Sequence, residues 1–201
     1  MSQIPDSTAS RRALLGSALG LGGAALAISA PGEASAAGIP TDPASDFFLT
    51  IPGIPGESRD KQFPLAIDLF TWSFGATSSV AAAGTGSGAD KSKPSPFVFV
   101  ARTGQASPKL LLNCATGRRL ASATLDARSH SDPQRLYLRV KLETVVVTSY
   151  QTAPGEQDGW PLDVVRLDYV KITTTYTSQN ADGSPATPVT AGFDYLLNKA
   201  L

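Results

Sequence analysis

One cysteine, Cys114, and one histidine, His130, are all that 201 residues supply of two common metal-binding side chains. A single cysteine closes no intrachain disulfide, so the fold has to rest on its core. One Cys and one His also fall short of a zinc ligand set. No calcium-loop run of alternating Asp and Asn before a glycine occurs, so neither a metal nor a cofactor is expected. Excess charge is missing too, since seventeen basic and seventeen acidic residues cancel. A nucleic-acid partner would need a basic stripe, and an anionic membrane surface would need the same. Charged residues make up only 17% of the chain, while Thr, Ser, Gly and Ala are plentiful. That balance leans toward a sheet-rich exported protein over a charged helical one.

What is present first is an address. Ser10-Arg11-Arg12-Ala13-Leu14-Leu15-Gly16 resembles the twin-arginine export signal, a paired arginine ahead of a mildly apolar run. Ala13 to Ala30 carries no charge, Pro31 and Gly32 break any helix, and Ala34-Ser35-Ala36 supplies a small-residue cleavage pattern. The run borders on spanning length, but its Gly and Ala content makes it weakly hydrophobic. Residues 1–36 are therefore read as a removable leader, with secretion out of the cytoplasm and no stable membrane association afterwards. Such transport usually carries proteins already folded. Residues 37–46, with Pro40 and Pro43, read as a loose lead-in to one domain over 47–201.

From Phe47 the pattern is that of β-strands. Phe47–Ile51 is a short apolar run stopped by the turn pairs Pro52-Gly53 and Pro55-Gly56. In Pro64–Ser73 the phase changes: Leu65, Ile67 and Leu69 are apolar at odd positions, Phe70, Trp72 and Phe74 at even ones. A strand that exchanges its buried face needs a bulge or a sharp bend. Val165, Leu167 and Tyr169 followed by Val170, Ile172 and Tyr176 repeat the device in a second long strand. Leu136–Tyr150 alternates most clearly, with Leu136, Leu138, Val140, Leu142 and Val146 on one face, and Val145-Val146-Val147 covered on both. Shorter strands are expected at Phe97–Ala101, Ala123–Arg128 and Phe193–Leu197.

One helix stands out, capped by Ser107, begun by Pro108 and stopped by Gly117. Its expected inner stripe is Leu110, Leu111, Cys114 and Ala115, which makes Cys114 a small core residue. The fold class predicted is mainly β, a small antiparallel β-barrel with one short flanking α-helix. Two loops stand apart, Ala81–Ser95 and Gln179–Thr190, long enough to carry function.

Tests for chemistry come back poor. Gly86-Ser87-Gly88-Ala89-Asp90-Lys91-Ser92 mimics a phosphate loop, but Asp90 would repel the anion, and Pro94 and Pro96 forbid the helix that should follow. A Ser-His-Asp triad would have to use His130, which sits in what reads as a hairpin turn, Ser129 to Pro133. No Gly-x-Ser-x-Gly elbow occurs. No catalytic, cofactor-binding or metal-binding residue is assigned, and an enzyme is not expected.

Ile51-Pro52-Gly53-Ile54-Pro55-Gly56-Glu57-Ser58-Arg59-Asp60-Lys61 resembles the opening motif of the Hcp (haemolysin-coregulated protein) family of type VI secretion. Ile67-Asp68-Leu69-Phe70-Thr71-Trp72-Ser73-Phe74-Gly75 is similar to that family's second strand. The Gly-rich loop, the helix, the strand ending Val145–Ser149, Val170–Tyr176, Ala181-Asp182-Gly183 and Gly192-Phe193-Asp194 follow in the family's order. The resemblance covers roughly residues 47 to 199. It implies a β-barrel with one side helix that assembles as a homo-oligomer, a hexameric ring. Such rings stack into a tube and are shed, small effector proteins can travel in the lumen, and no catalytic site is used. The extended loop, here around Ala81–Ser95, lies where family rings meet. Two departures stand out: family members ordinarily lack an export signal, and their Gly-Trp-Asn ending is here Gly-Phe-Asp. An exported monomeric β-barrel that kept the fold as a binding module, using the two long loops, is the alternative reading.

Overall fold

A computed structural model describes residues 45–78, 92–130, 134–155 and 159–201. The leader over 1–36, most of the lead-in, residues 81–91 of the Gly-rich loop and 131–133 of the expected turn lie outside the described residues. The first strand, β1, spans Ser45–Thr50, so the last two residues of the expected lead-in are already regular. There follow β2 (Ile67–Thr77), β3 (Lys93–Arg102), α1 (Ser107–Thr116), β4 (Arg119–Ser129) and β5 (Leu136–Pro154). The chain ends with β6 (Pro161–Asp168), β7 (Lys171–Tyr176), β8 (Val189–Asp194) and the two-residue β9 (Lys199–Ala200). The result is mainly β with one short helix. β3 begins inside the loop expected over Ala81–Ser95, because Lys93–Ser95 pairs with Gly75–Thr77. At the C-terminal end the strand expected over Phe193–Leu197 lies earlier, at Val189–Asp194, with a turn after it.

All pairings are antiparallel and form one sheet in the order β4-β1-β2-β3-β6-β5-β7-β8-β9, with an additional β4–β5 pairing. That last pairing closes β4, β1, β2, β3, β6 and β5 into a circuit, and β7, β8 and β9 leave it as a wing. A closed circuit removes the free edges that invite wrong strand pairing. Its interior is filled by side chains, among them Leu49, Phe97, Phe99, Leu125, Val140, Val145 and Leu167, all essentially without solvent contact. Burial of each contributes about 1.5–3 kcal/mol.

The phase change in β2 appears as a register shift against β3 between Leu69 and Thr71, with a second between Ser73 and Gly75. The long strand expected over Val165–Tyr176 is instead two strands, interrupted at Tyr169-Val170. They meet the same edge of β5 in a common register at the interruption, Val146 opposite Asp168 and Glu143 opposite Lys171, and the β6 pairing then shifts between Val147 and Ser149. Facing the interruption is Thr144, whose φ of 55° is left-handed and which reverses the alternation of β5. Before it Val140 and Leu142 are buried; after it Val145 and Val147 are. The even-numbered face expected to run through Val146 therefore ends at Leu142. This bend lets one strand serve the circuit through β6 and the wing through β7.

α1 packs against β5, but not by the stripe expected. Its buried residues are Ser107, Leu110 and Asn113, with Cys114 half-buried against the core and Leu111 and Ala115 exposed. A short helix on a strand buries one narrow line spaced three residues apart. The N-cap is Ala106, without a side-chain cap bond. Ser107 lies one step inside, where its Oγ accepts the Gly104 N–H at 2.9 Å and donates to Asp163. Gly117 does end the helix, at φ 62°, a left-handed turn that costs glycine nothing.

Candidate functional site

Between β1 and β2, the Gly-Glu-Ser-Arg-Asp segment is built residue by residue. Gly56 lies so close to the chain that a Cβ there would sit 2.2 Å from the Ala66 carbonyl oxygen. Ser58 is buried; its N–H donates to Ala66 O and its carbonyl accepts the Leu65 N–H, both at 3.0 Å. Asp60 turns the chain by accepting the N–H groups of Gln62 (2.8 Å) and Phe63 (3.1 Å) on Oδ1. Its Oδ2 takes Arg128 of β4 at 2.7 Å.

Arg128 is the centre of a polar node. Its guanidinium also donates to Asp46 of β1 at 2.7 Å, and it lies 5.0 Å from the centre of the Phe48 ring, which stacks on Phe63. His130 Nε2 sits 2.6 Å from the other oxygen of Asp46. Burial alone would raise the Asp46 carboxyl, but bonds from Arg128 and His130 outweigh it and hold it below the ordinary range. The Arg128 bond does the same for Asp60. Asp68 on β2 goes the other way, pushed up by desolvation and by the carboxylates of Asp46 and Asp60, against a bond from Ser58. The node fastens β1, the motif loop and the end of β4 together. His130, read as a solvated turn residue, is exposed but has this structural partner.

A second node is built from hydroxyl donors on one carboxylate. Asp163 of β6, only 1% exposed, accepts Thr103 Oγ1 at 2.7 Å, Tyr150 Oη at 3.0 Å and Ser107 Oγ. Burial and the bond to Asp163 push the Tyr150 phenol up. This carboxylate ties the turn between β3 and α1 to the β5–β6 hairpin.

Beside it opens a hollow of about 550 Å³ between the motif loop, the β3–α1 turn and Trp160. A smaller one, about 220 Å³, lies between the start of β3 and the end of β6, lined by Pro94, Ser95, Pro96, Asp168 and Tyr169. Apart from Leu65 before β2 and Trp160 at the hollow, the large apolar side chains left on the surface among the described residues fall in two places. Leu111 and Leu112 stand out from α1, and Tyr176, Val189, Leu196, Leu197 and Leu201 stand out from the wing and its last turn. That turn is firmly built: Asp194, 2% exposed, accepts the N–H groups of Leu196 and Leu197 at 2.9 Å and pairs with Lys171 at 3.2 Å. Its exposed leucines are held in place on an ordered support. No group of three metal-ligating side chains occurs among the described residues, and no helix there is long and apolar enough to cross a membrane. Of the two loops expected to carry function, Gln179–Thr190 is closed locally by Asn180 N–H to Ser184 O and Gly183 N–H to Asn180 O.

Residues 48–176 match the family described as type VI secretion system effector, Hcp. The chain is 29% identical over 143 residues to protein hcp1 of Pseudomonas aeruginosa, covering 70% of this chain and 88% of that one. Among solved structures it is similar to Hcp1 from Salmonella typhimurium, with a TM-score of 0.65 and 28% identity over 79% of this chain and 99% of that one. It is also similar in fold to a type six secretion system protein, with a TM-score of 0.72 at 20% identity, over 79% and 100%.

Proposed function

The chain belongs to the Hcp family of type VI secretion, and on that premise we propose that it is a non-catalytic, ring-forming structural protein. The six-strand circuit is read as a barrel, and the hexameric ring as the state in which its exposed apolar surface is covered. The observation that carries this reading is the separation of two apolar surfaces on a chain whose core is otherwise sealed. Leu111 and Leu112 lie on the helix, while Val189, Leu196, Leu197 and Leu201 lie on the wing. Exposed apolar clusters mark interaction sites. Two different patches joined head to tail give a closed ring when the rotation closes. Small effector proteins in the lumen are part of the same proposal.

Residues 1–36 are proposed as a twin-arginine leader, 37 onward as the mature protein, and 47–201 as its one domain. Export of this kind takes the protein out of the cytoplasm without a contractile machine, so free extracellular rings or a carrier fit better than a tube inside a sheath. The 550 Å³ hollow favours a second reading, an exported monomeric binding module with a ligand held at the end of the strands.

Light scattering on the full chain, with electron micrographs of the same sample, separates the two. A mass about six times that of the chain, with annular particles, is the expected result. A clean monomer at high concentration would discard the ring.

A further inference from the structure

The 550 Å³ hollow is large enough for one or two side chains of a partner, within the size range of ordinary ligand sites. Its floor is apolar, from Ile67, Leu69 and Ala106. Two aromatic residues, Phe70 and Trp160, stand on its wall. Trp160 is held there by its indole N–H, which donates to the Thr103 carbonyl at 3.1 Å, yet it remains 53% exposed. An indole fixed in place with half its surface uncovered offers a face at little entropic cost.

The charge around the hollow is lopsided. Glu57 and Asp68 line it, and Asp163 lies directly behind the lining residue Thr103. Against these three carboxylates stands Arg102 alone among the described lining residues, and it already has an interaction of its own. The N-terminal turn of α1, which would otherwise welcome an anion, is occupied from within. Glu57 accepts the Gln105 N–H at 3.0 Å, and Ser107 Oγ donates a hydrogen bond to Asp163. An anionic ligand therefore meets a surplus of negative charge among the described lining residues. A cation meets carboxylates and two aromatic rings, the pairing that holds ammonium and guanidinium groups.

We infer that this hollow is a binding site for an arginine or lysine side chain presented by a basic peptide segment of a protein partner. The aliphatic stem lies on Ile67 and Leu69, and the charged head is taken by Asp68 and Glu57 beside the aromatic wall. None of its lining residues belongs to the apolar patches assigned to ring contacts.

The test uses the full chain and a blocked Gly-Arg-Arg-Gly peptide, with its citrulline counterpart as a neutral twin, followed by tryptophan fluorescence and calorimetry. Saturable binding of the arginine peptide is expected, with the citrulline peptide weaker by about tenfold, the loss of a charge at a partly shielded site. Asp68→Asn and Glu57→Gln should each weaken the arginine peptide by roughly two- to fivefold. Two variants guard against one of them simply failing to fold, and a light-scattering mass on each keeps loss of assembly distinct from loss of binding. Equal binding of the two peptides, no saturable binding in either variant-free sample, or unchanged affinity in both folded variants would overturn the site.

Discussion

The circuit and the wing are cut from one sheet, yet they treat apolar side chains in opposite ways. In the circuit, Leu125, Val140, Leu142 and Val165 are shut away from water. In the wing, Ile172 is buried, but Val189 is 70% exposed and Leu196 in the turn after it 73%. The division falls where β5 bends at Thr144 and hands its edge from β7 to β6. A sheet that closes on itself supplies its own cover, whereas strands leaving the closure need cover from elsewhere. The circuit is therefore where stability resides, and on the proposed reading the wing is the surface offered for association.

Four changes sharpen or break that contrast. Leu142→Ala, inside the circuit, should cost about 2–5 kcal/mol in denaturant unfolding; a loss under 1 kcal/mol would mean the interior is not packed as described. Arg128→Met should cost about 2–3 kcal/mol at neutral pH by leaving Asp46 and Asp60 without their cation. The folded-state pKa values of these two acids are depressed, so their contribution is full above the unfolded value near 4 and fades as pH falls below it. Unfolding of the parent measured between about pH 5 and 2 should thus show a slope that Arg128→Met reduces; equal slopes would detach the node from stability. Gly56→Ala should cost about 1–3 kcal/mol through collision with the Ala66 carbonyl, visible as a lowered unfolding midpoint. Leu196→Ser with Leu197→Ser should change unfolding by only about 0.5 kcal/mol, as exposed substitutions do, while lowering the associated mass. If that double variant unfolds like a core mutant and keeps its mass, the contrast is wrong.

Much of the circuit could be read from the residues because its irregularities are written in the alternation. The exchange from Ile67 and Leu69 to Phe70 and Trp72 announced the bulge that the pairing with β3 contains. The bend at Thr144 left no such mark. A left-handed residue is signalled by glycine or asparagine, and threonine hides it. Leu111 was expected inside because helical spacing alone cannot tell how narrow a strip a single strand will cover. The two polar nodes were illegible for another reason. Arg128 meets Asp60 across 68 residues and Ser107 meets Asp163 across 56, and such pairings exist only once the sheet has brought them together. The motif loop was recognised as a pattern before its purpose could be stated. Its Gly, Ser and Asp turn out to hold the chain against Ala66 and Arg128.

The pairing of Ser45 with Ser129 also sets a clock. β1 is among the first strands to emerge during synthesis, yet its partner β4 is complete only 84 residues later. At roughly 5–20 residues per second, that is a wait of about 4–17 seconds in which Phe47, Phe48 and Leu49 have nothing to pair with on that side. A segment of three apolar residues left open for so long is a target for chaperones.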